Sequence, residues 1–249
     1  NPPKTVTLAT GPAQSAYEEF GKRYQKALAV DGIEVVLLPS EGSSHNLQLL
    51  REGKADVAFV QGGTAELLPD DPDELVSLGN LFVEPVWLFY RTETAQRMYN
   101  TPRLDGLRQL RGLHVNVGSQ GSGVPTLMER LLEANKVERG AVKLSRLDQT
   151  PATVDFLAGK LDALVFASAP ESLMVQMLLQ TPGVQLLDFA QHEAYARRFP
   201  FLTPVTLPRG VVDLASNVPV RDVRLVASTT SLLAREGTHP ALLTLFAQN

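Results

Sequence analysis

The chain has 249 residues and a formal net charge of −4, and 44% of its residues are hydrophobic. This length suffices for one large domain or for two lobes. The acidic balance argues against a nucleic-acid surface, which needs a basic stripe to displace counterions. Cysteine is absent, which excludes disulfide bonds, thiolate nucleophiles and zinc–thiolate sites. No apolar run in the sequence reaches the ~20 residues of a membrane span.

The beginning of the chain predicts a β-α-β-α-β unit. Residues 5–28 form a short β-rich run, a turn rich in Gly, Pro and Ser, and a helix pattern with one apolar face. A second strand is predicted at 33–40, and the polar turn at 41–46 opens a second helix. The unit closes with the phrase Gly-Lys-Ala-Asp at 53–56 and a third strand at 57–60, which is apolar enough to be buried on both faces.

The second half of the chain repeats this plan. Residues 112–135 again predict a strand, a turn and a helix, and residues 157–169 repeat the Gly-Lys-x-Asp phrase before an apolar strand. Gly53 and Gly159 suit the left-handed position that ends a helix. The two first helices share one register, because adding 107 to the apolar or small positions Tyr17, Phe20, Gly21, Tyr24 and Ala27 gives Val124, Leu127, Met128, Leu131 and Ala134.

Two extended apolar runs predict how the halves are joined. Residues 83–93 leave the first lobe and residues 221–236 return to it, which gives domain ranges of 1–85 for lobe 1, 86–222 for lobe 2 and 223–249 for the returning C-terminal segment. The predicted fold class is α/β, with two doubly wound mixed sheets joined by hinge strands. A ligand cleft is expected at the carboxyl ends of the strands. The alternative is two similar α/β units stacked without a site.

The loop at 118–123, Gly-Ser-Gln-Gly-Ser-Gly, connects a predicted strand to a predicted helix. Its glycines let the backbone approach a ligand closely. Its amides lie at a helix N-terminus beside the hydroxyls of Ser119 and Ser122, a combination that favours contact with an anion or carboxylate. The spacing matches neither Walker A nor the dinucleotide fingerprint. The alternative is a tight turn with an N-cap.

The corresponding loop of the first half, residues 39–50, contains the run Ser-Ser-His-Asn. Ser43 or Ser44 is expected to cap the N-terminus of the following helix. The other hydroxyl and Asn46 are then expected to face the mouth of the cleft. We interpret His45 as a surface residue rather than a metal ligand or a proton-transfer group.

The ends of the third strands, at 59–63 and 166–170, carry small residues that leave room for a ligand. Gln61 adds an amide that can both donate and accept. A plain turn is the alternative at both places. Asp56 and Asp162 open their strands far from these ends, so we interpret both as structural.

Arg91 and Arg209 could each bind a carboxylate through a bidentate guanidinium fork. Trp87 is expected in the core of the hinge. Few residues indicate catalysis. No G-x-S-x-G elbow is present. The sequence does not exclude a Ser-His-Asp triad formed by distant residues, but no motif indicates one. Metal-ligand spacing is missing among the four histidines, at positions 45, 114, 192 and 239. We therefore expect no metal, no cofactor and no enzymatic activity.

Matches to one family pattern then cover nearly the whole chain in order, at 7–21, 41–61, 82–91, 110–123, 157–170 and 199–211. On these segments the chain resembles the TAXI class of solute receptors that serve TRAP transporters. The resemblance implies a type II periplasmic-binding-protein fold that captures a small organic anion or amino acid, glutamate-like or dicarboxylate, in an interlobe cleft. The chain departs from the family's usual Gly-Gly-Thr-Tyr, since it has Gln14, Ser15, Ala16 and Tyr17 there.

The resemblance also implies where the ligand is bound. The implied contacts are Tyr17, Ser43, Asn46 and Gln61 in the first lobe and Ser119, Gly121, Ser122, Gly123 and Ala167 on the side of the second. It implies a periplasmic or extracytoplasmic location and a TRAP-type membrane permease as partner. Some relatives continue into a membrane-anchored segment, so the resemblance leaves a membrane anchor outside this chain open. We expect a monomer. The alternatives are a ligand-sensing domain of a membrane-anchored regulator and a small-molecule enzyme on the same fold.

Overall fold

Strands and helices alternate through this computed structural model, which describes residues 4–13, 15–64 and 75–249. In chain order the elements are β1 (Thr5–Ala9), α1 (Ala16–Ala29), β2 (Glu34–Leu38), α2 (Ser43–Arg51), β3 (Val57–Gln61), β4 (Leu75–Arg91), α3 (Thr92–Tyr99), a 3-10 turn (Leu107–Leu110), β5 (His114–Asn116), α4 (Val124–Ala134), β6 (Lys143–Ser145), α5 (Gln149–Leu157), β7 (Ala163–Ala167), α6 (Leu173–Leu179), β8 (Val184–Leu186), α7 (His192–Arg198), β9 (Leu202–Leu207), β10 (Val223–Arg235) and α8 (Pro240–Gln248).

The contacts within the chain divide it into two units. Unit 1 contains Asn1–Phe82, Gln120–Gly123 and Thr229–Asn249, and unit 2 contains Val83–Ser119 and Val124–Ser228. The long strands β4 and β10 each contribute residues to both units. They contain the two runs that the sequence predicts as crossovers.

Each unit contains three parallel strands in the same order. β1 lies between β2 and β3, and β5 lies between β6 and β7. The registers also agree, because Leu8 pairs with Val57 where Val115 pairs with Ala163. An antiparallel strand then follows in each sheet, with β10 beside β3 and β4 beside β7. β8 pairs with β4, and β9 pairs with the first half of β10. The predicted β-α-β-α-β repeat is confirmed.

The repeated Gly-Lys-x-Asp phrase has the same role in both units. The Asp56 carboxylate accepts a hydrogen bond from the Thr7 backbone amide (2.9 Å), and the Asp162 carboxylate accepts one from the His114 amide (2.8 Å). The two glycines that precede them have φ angles of 74° and 81°, where a Cβ would be strained. Each phrase therefore ends a helix and ties the start of its third strand to the neighbouring strand. The structural interpretation of both aspartates is confirmed.

Arg91 belongs to this scaffold and not to a ligand site. Its Nε donates to the carbonyl of Leu161 (3.1 Å), and a terminal nitrogen lies 3.6 Å from the Asp162 carboxylate. Of the two arginines that could offer a fork to a ligand carboxylate, Arg91 has its guanidinium occupied at the amino end of β7. Arg209 is exposed, and its backbone amide donates to Asp222 (2.8 Å).

Each unit has its own apolar core. In unit 1, α1 begins after the N-cap Ser15 and packs Tyr17 and Tyr24 against Phe59. In unit 2, Trp87 is fully buried, and its Nε1 donates to the carbonyl of Ser168 (2.8 Å). None of the helices in the described ranges is both long and apolar enough to cross a membrane.

One ion pair in unit 2 gives a pH-dependent prediction. Burial alone would raise the pKa of Asp188, but hydrogen bonds from the Arg224 side chain and backbone outweigh it, so the pKa lies below its usual value. A lowered folded-state pKa stabilises the protein above the unfolded pKa, and this contribution is lost as the pH falls through the folded pKa. We expect Asp188→Asn to cause a small loss of stability at pH 7, because both side chains are partly exposed.

The loss should begin to shrink below about pH 4, where the carboxyl of the unfolded parent becomes protonated, and should disappear as the pH falls through the lower folded-state pKa. Urea unfolding at pH 7 and pH 3 measures both differences. Asp31→Asn, at an exposed aspartate after α1, is the control. A difference between Asp188→Asn and the parent that is equal at the two pH values would contradict the assignment.

Candidate functional site

Three hydroxyl groups meet inside unit 1, close to the carboxyl end of its parallel strands. The Tyr17 hydroxyl lies 3.1 Å from the Ser43 hydroxyl and 3.4 Å from that of Thr230. The Ser43 oxygen also accepts a hydrogen bond from the Gln61 backbone amide (2.9 Å), at the last residue of β3. All three hydroxyl side chains are buried. We call Tyr17, Ser43 and Thr230 the hydroxyl cluster.

The start of α2 differs from the sequence prediction. Gly42 is the N-cap residue, with a φ angle of 128° and no side-chain cap, so the expectation that Ser43 or Ser44 caps this helix is wrong. Ser43 is instead the first helical residue, and its hydroxyl turns towards β3. Glycine suits position 42 because L side chains rarely adopt this φ angle, and a Cβ there would also lie only 3.1 Å from the Cα of Ser122.

The Asn46 side chain is buried and forms hydrogen bonds with the segments that follow β1 and β2 and with β3. Its side chain is 0% exposed. Its Nδ2 donates to the carbonyls of Thr10 (2.7 Å) and Phe59 (2.8 Å), and its Oδ1 accepts from the Ser40 hydroxyl. Both amide hydrogens and the amide oxygen are therefore paired within the protein. The expectation that Asn46 faces the mouth of a cleft is wrong, because its amide satisfies buried backbone groups that follow β1 and lie in β3.

The segment Gln120–Gly123 groups with unit 1, although the resemblance places its glycines and Ser122 on the side of the second lobe. The His45 backbone amide donates to the carbonyl of Gly121 (3.0 Å). A Cβ at Gly121 would collide with Glu41. A Cβ at Gly123 would lie 3.2 Å from the Gln61 amide oxygen and 3.5 Å from the Cβ of Ser43. The structure thus brings Ser43, Gln61, Gly121, Ser122 and Gly123 together.

The remaining predicted residues are placed as follows. Ser119 and Ala167 belong to unit 2, where each is half-buried, and Ala167 is the last residue of β7. The half-buried His45 accepts a hydrogen bond from the Glu41 amide at its Nδ1 (3.1 Å). No cluster of three or more metal-ligating side chains occurs among the described residues. Gln14, part of the departure from the family pattern, lies outside the described residues.

Three buried polar residues were not predicted from the sequence: Thr230, Thr64 and Ser228. For Thr230 and Ser228 the available signal was the polar run inside the strand, Ser228 to Ser231. Thr64 gave no such signal, and its hydroxyl would lie 3.4 Å from a Cβ at Gly123. The buried polar side chains in the described part of the chain are Thr10, Ser43, Asn46, Thr64, Glu84, Thr94, Asn116, Thr153, Ser228 and Thr230. Glu84 is the one ionisable group in that set, so the interior around the predicted site offers mainly neutral hydrogen-bonding groups.

Residues 8–240 match the model of the NMT1-like family. The chain belongs to the NMT1-like family. A search of curated proteins found no match to this NMT1-like chain.

Solved structures resemble this NMT1-like protein at low sequence identity. The alkanesulfonate-binding protein SsuA from Xanthomonas axonopodis pv. citri, bound to MOPS, has a TM-score of 0.55 at 16% identity, over 80% of this chain and 69% of that one. AbpA from Streptococcus pneumoniae, an amino acid ABC transporter substrate-binding protein bound to L-arginine, has a TM-score of 0.57 at 15% identity, over 98% and 86%. The effector-binding domain of a BenM variant has a TM-score of 0.59 at 12% identity, over 98% and 92%.

These structural matches establish the fold. The NMT1-like chain has the α/β fold of type II periplasmic binding proteins, with mixed parallel and antiparallel strands, so the predicted fold class is confirmed. At these identities the matches carry no further information on the ligand.

Proposed function

We propose that this NMT1-like protein is an extracytoplasmic receptor that binds a small organic anion or an amino acid and releases it unchanged. The observation that carries the proposal is the hydroxyl cluster beside the Gly121–Gly123 segment in unit 1. Hydroxyls and backbone amides at helix N-termini can hold an oxyanion without a cationic side chain. The same fold binds L-arginine in AbpA and MOPS in SsuA, which supports a ligand of this class.

The proposed contacts in unit 1 are the side chains of Tyr17, Ser43, Gln61 and Ser122 and the backbone of Gly121 and Gly123. Ser119 and Ala167 stay predictions from the sequence. Asn46 is proposed to act indirectly, because it positions the loops that carry the contacts.

The partner and the location rest on the sequence resemblance. We propose a TRAP-type membrane permease as the partner, a glutamate-like or dicarboxylate ligand and a monomeric receptor. A second candidate function is a ligand-sensing domain of a regulator, which the likeness to the BenM effector-binding domain favours. Genes for a membrane permease beside this one would favour transport over sensing.

Affinity measurements test the proposed site. Calorimetry with L-glutamate, succinate, L-arginine and ethanesulfonate should find at least one ligand for the parent protein. Tyr17→Phe should weaken its binding about 3- to 10-fold, because a hydrogen bond contributes roughly 0.5–1.5 kcal/mol.

Tyr24→Phe is the matched control, since Tyr24 lies on the same helix but packs in the core of unit 1 against Phe246. Mass spectrometry of the incubated ligand should return it unchanged. Conversion to a product would exclude a pure receptor, and equal affinity of Tyr17→Phe and the parent would remove the hydroxyl cluster from the site.

A further inference from the structure

Ser228 carries a buried hydroxyl that has no hydrogen-bond partner among the described residues. The residue is 1% exposed, and its Oγ makes no hydrogen bond in the part of the chain that the structure describes. Its backbone is paired within the sheet, where it lies opposite Leu202 of β9. The missing partner therefore concerns the side chain alone.

An unpaired buried hydroxyl lowers stability, and native proteins contain few such groups. Alanine would fill almost the same space without this cost, and the preceding residue of the strand is already an alanine, Ala227. A serine that costs stability where alanine would fit is the kind of local inconsistency that occurs at functional sites.

The position of Ser228 on its strand points to the same conclusion. Side chains two residues apart share one face of a strand, so Ser228 lies on the face of β10 that also carries Thr230 of the hydroxyl cluster. The internal repeat adds a second observation. Gly62 donates to the carbonyl of Thr229, and its counterpart Ser168 donates to the carbonyl of Pro85.

By this correspondence Glu84 takes the place in β4 that Ser228 takes in β10. Both side chains are polar and both are buried. The two crossover strands thus each carry a buried polar side chain at the corresponding position.

A hydroxyl always carries one donor hydrogen, and buried donors are left unpaired less often than acceptors. The partner that Ser228 lacks is therefore an acceptor. We propose that the Ser228 hydroxyl is a ligand-binding group that donates a hydrogen bond to a carboxylate or sulfonate oxygen of the bound ligand. This inference rests on the proposed receptor function and adds to it a contact and the chemistry of that contact.

Two measurements on Ser228→Ala separate a ligand contact from a structural role. Without ligand, the variant should unfold at the same or a higher urea concentration than the parent, because an unpaired polar group has been removed. Its affinity for the ligand should fall about 10-fold, which corresponds to about 1.4 kcal/mol. Calorimetry would use L-glutamate and succinate as carboxylate probes and ethanesulfonate as the sulfonate probe, and the probe that loses affinity identifies the oxyanion.

Ser231→Ala is the matched control on the same strand. The Ser231 hydroxyl already donates to Asn80 (2.9 Å) and lies on the opposite face of β10, so its removal should leave affinity unchanged. Ser228→Cys, which keeps the size and weakens the donor, should fall between the parent and Ser228→Ala.

The outcomes separate this inference from the proposed function. If the parent binds a probe and Ser228→Ala binds it equally well, the inference is overturned and the receptor function stands. If Ser228→Ala is less stable than the parent but binds the probe with the same affinity, the inference is also overturned, and the Ser228 hydroxyl has a structural role. If neither these probes nor L-arginine bind the parent, the proposed function fails and the inference fails with it.

Discussion

Replacing Asn46 with leucine is expected to destabilise the protein by about 2–5 kcal/mol. Leucine has nearly the same size, but it leaves the buried carbonyls of Thr10 and Phe59 without their donors, and each unpaired group costs roughly 1–3 kcal/mol. A residue that only touched the ligand would lower affinity and leave the unliganded protein equally stable. Chemical denaturation without ligand therefore distinguishes a structural role of Asn46 from direct contact with the ligand.

The single tryptophan makes this experiment specific to one unit. Trp87 lies in the core of unit 2, so its fluorescence reports on that unit, whereas far-ultraviolet circular dichroism reports on both. Asn46→Leu should move the circular dichroism transition at least as far as the fluorescence transition. Gln48→Leu is the control, since Gln48 is an exposed amide on the same helix whose partner is Glu52. A fully stable Asn46→Leu variant with reduced affinity would restore the interpretation of Asn46 as a ligand contact.

The scaffold was predictable because it depends on local patterns that occur twice. Apolar periodicity indicated the helices, and the repeated Gly-Lys-x-Asp phrase indicated a helix end followed by a buried strand. The two glycines and the two aspartates behave as that pattern predicts, with left-handed φ angles and side-chain bonds to the neighbouring strand. The roles of these glycines and aspartates can be predicted from a few neighbouring residues in the sequence.

The site was harder to predict because its contacts join distant parts of the chain. Tyr17 and Thr230 are 213 positions apart, and a polar run inside β10 does not show which residue its hydroxyls meet. The start of α2 shows the same limit. Serine at that position favours capping, but the Gln61 amide competes for the Ser43 hydroxyl, and Gly42 takes the cap position. Spacing also could not show that Asn46 would turn inward to two backbone carbonyls.

Asp162→Asn and Asp56→Asn, the same change at equivalent positions, are expected to have unequal effects. Both oxygens of Asp162 accept hydrogen bonds: one binds the His114 amide, and the other binds the Thr94 hydroxyl (3.0 Å) and Arg97 (3.3 Å). An asparagine has one acceptor oxygen, so its NH₂ group must face a donor on one side. We expect Asp162→Asn to cost about 2–4 kcal/mol, since one buried donor loses its partner and the charge opposite Arg97 disappears.

Asp56 makes a simpler contact, and its substitution should therefore be mild. Among the described residues its carboxylate accepts one side-chain hydrogen bond, from the Thr7 amide, and an asparagine can turn its oxygen to keep that bond. Asp56→Asn should cost less than about 1 kcal/mol. Urea unfolding followed by far-ultraviolet circular dichroism, which reports on both units, compares the two variants. Trp87 fluorescence should show the shift of Asp162→Asn as well, because Asp162 and Trp87 lie in the same unit. Equal losses for the two variants would mean that the shared tie to the neighbouring strand sets the cost, and that the Thr94 and Arg97 contacts contribute nothing measurable.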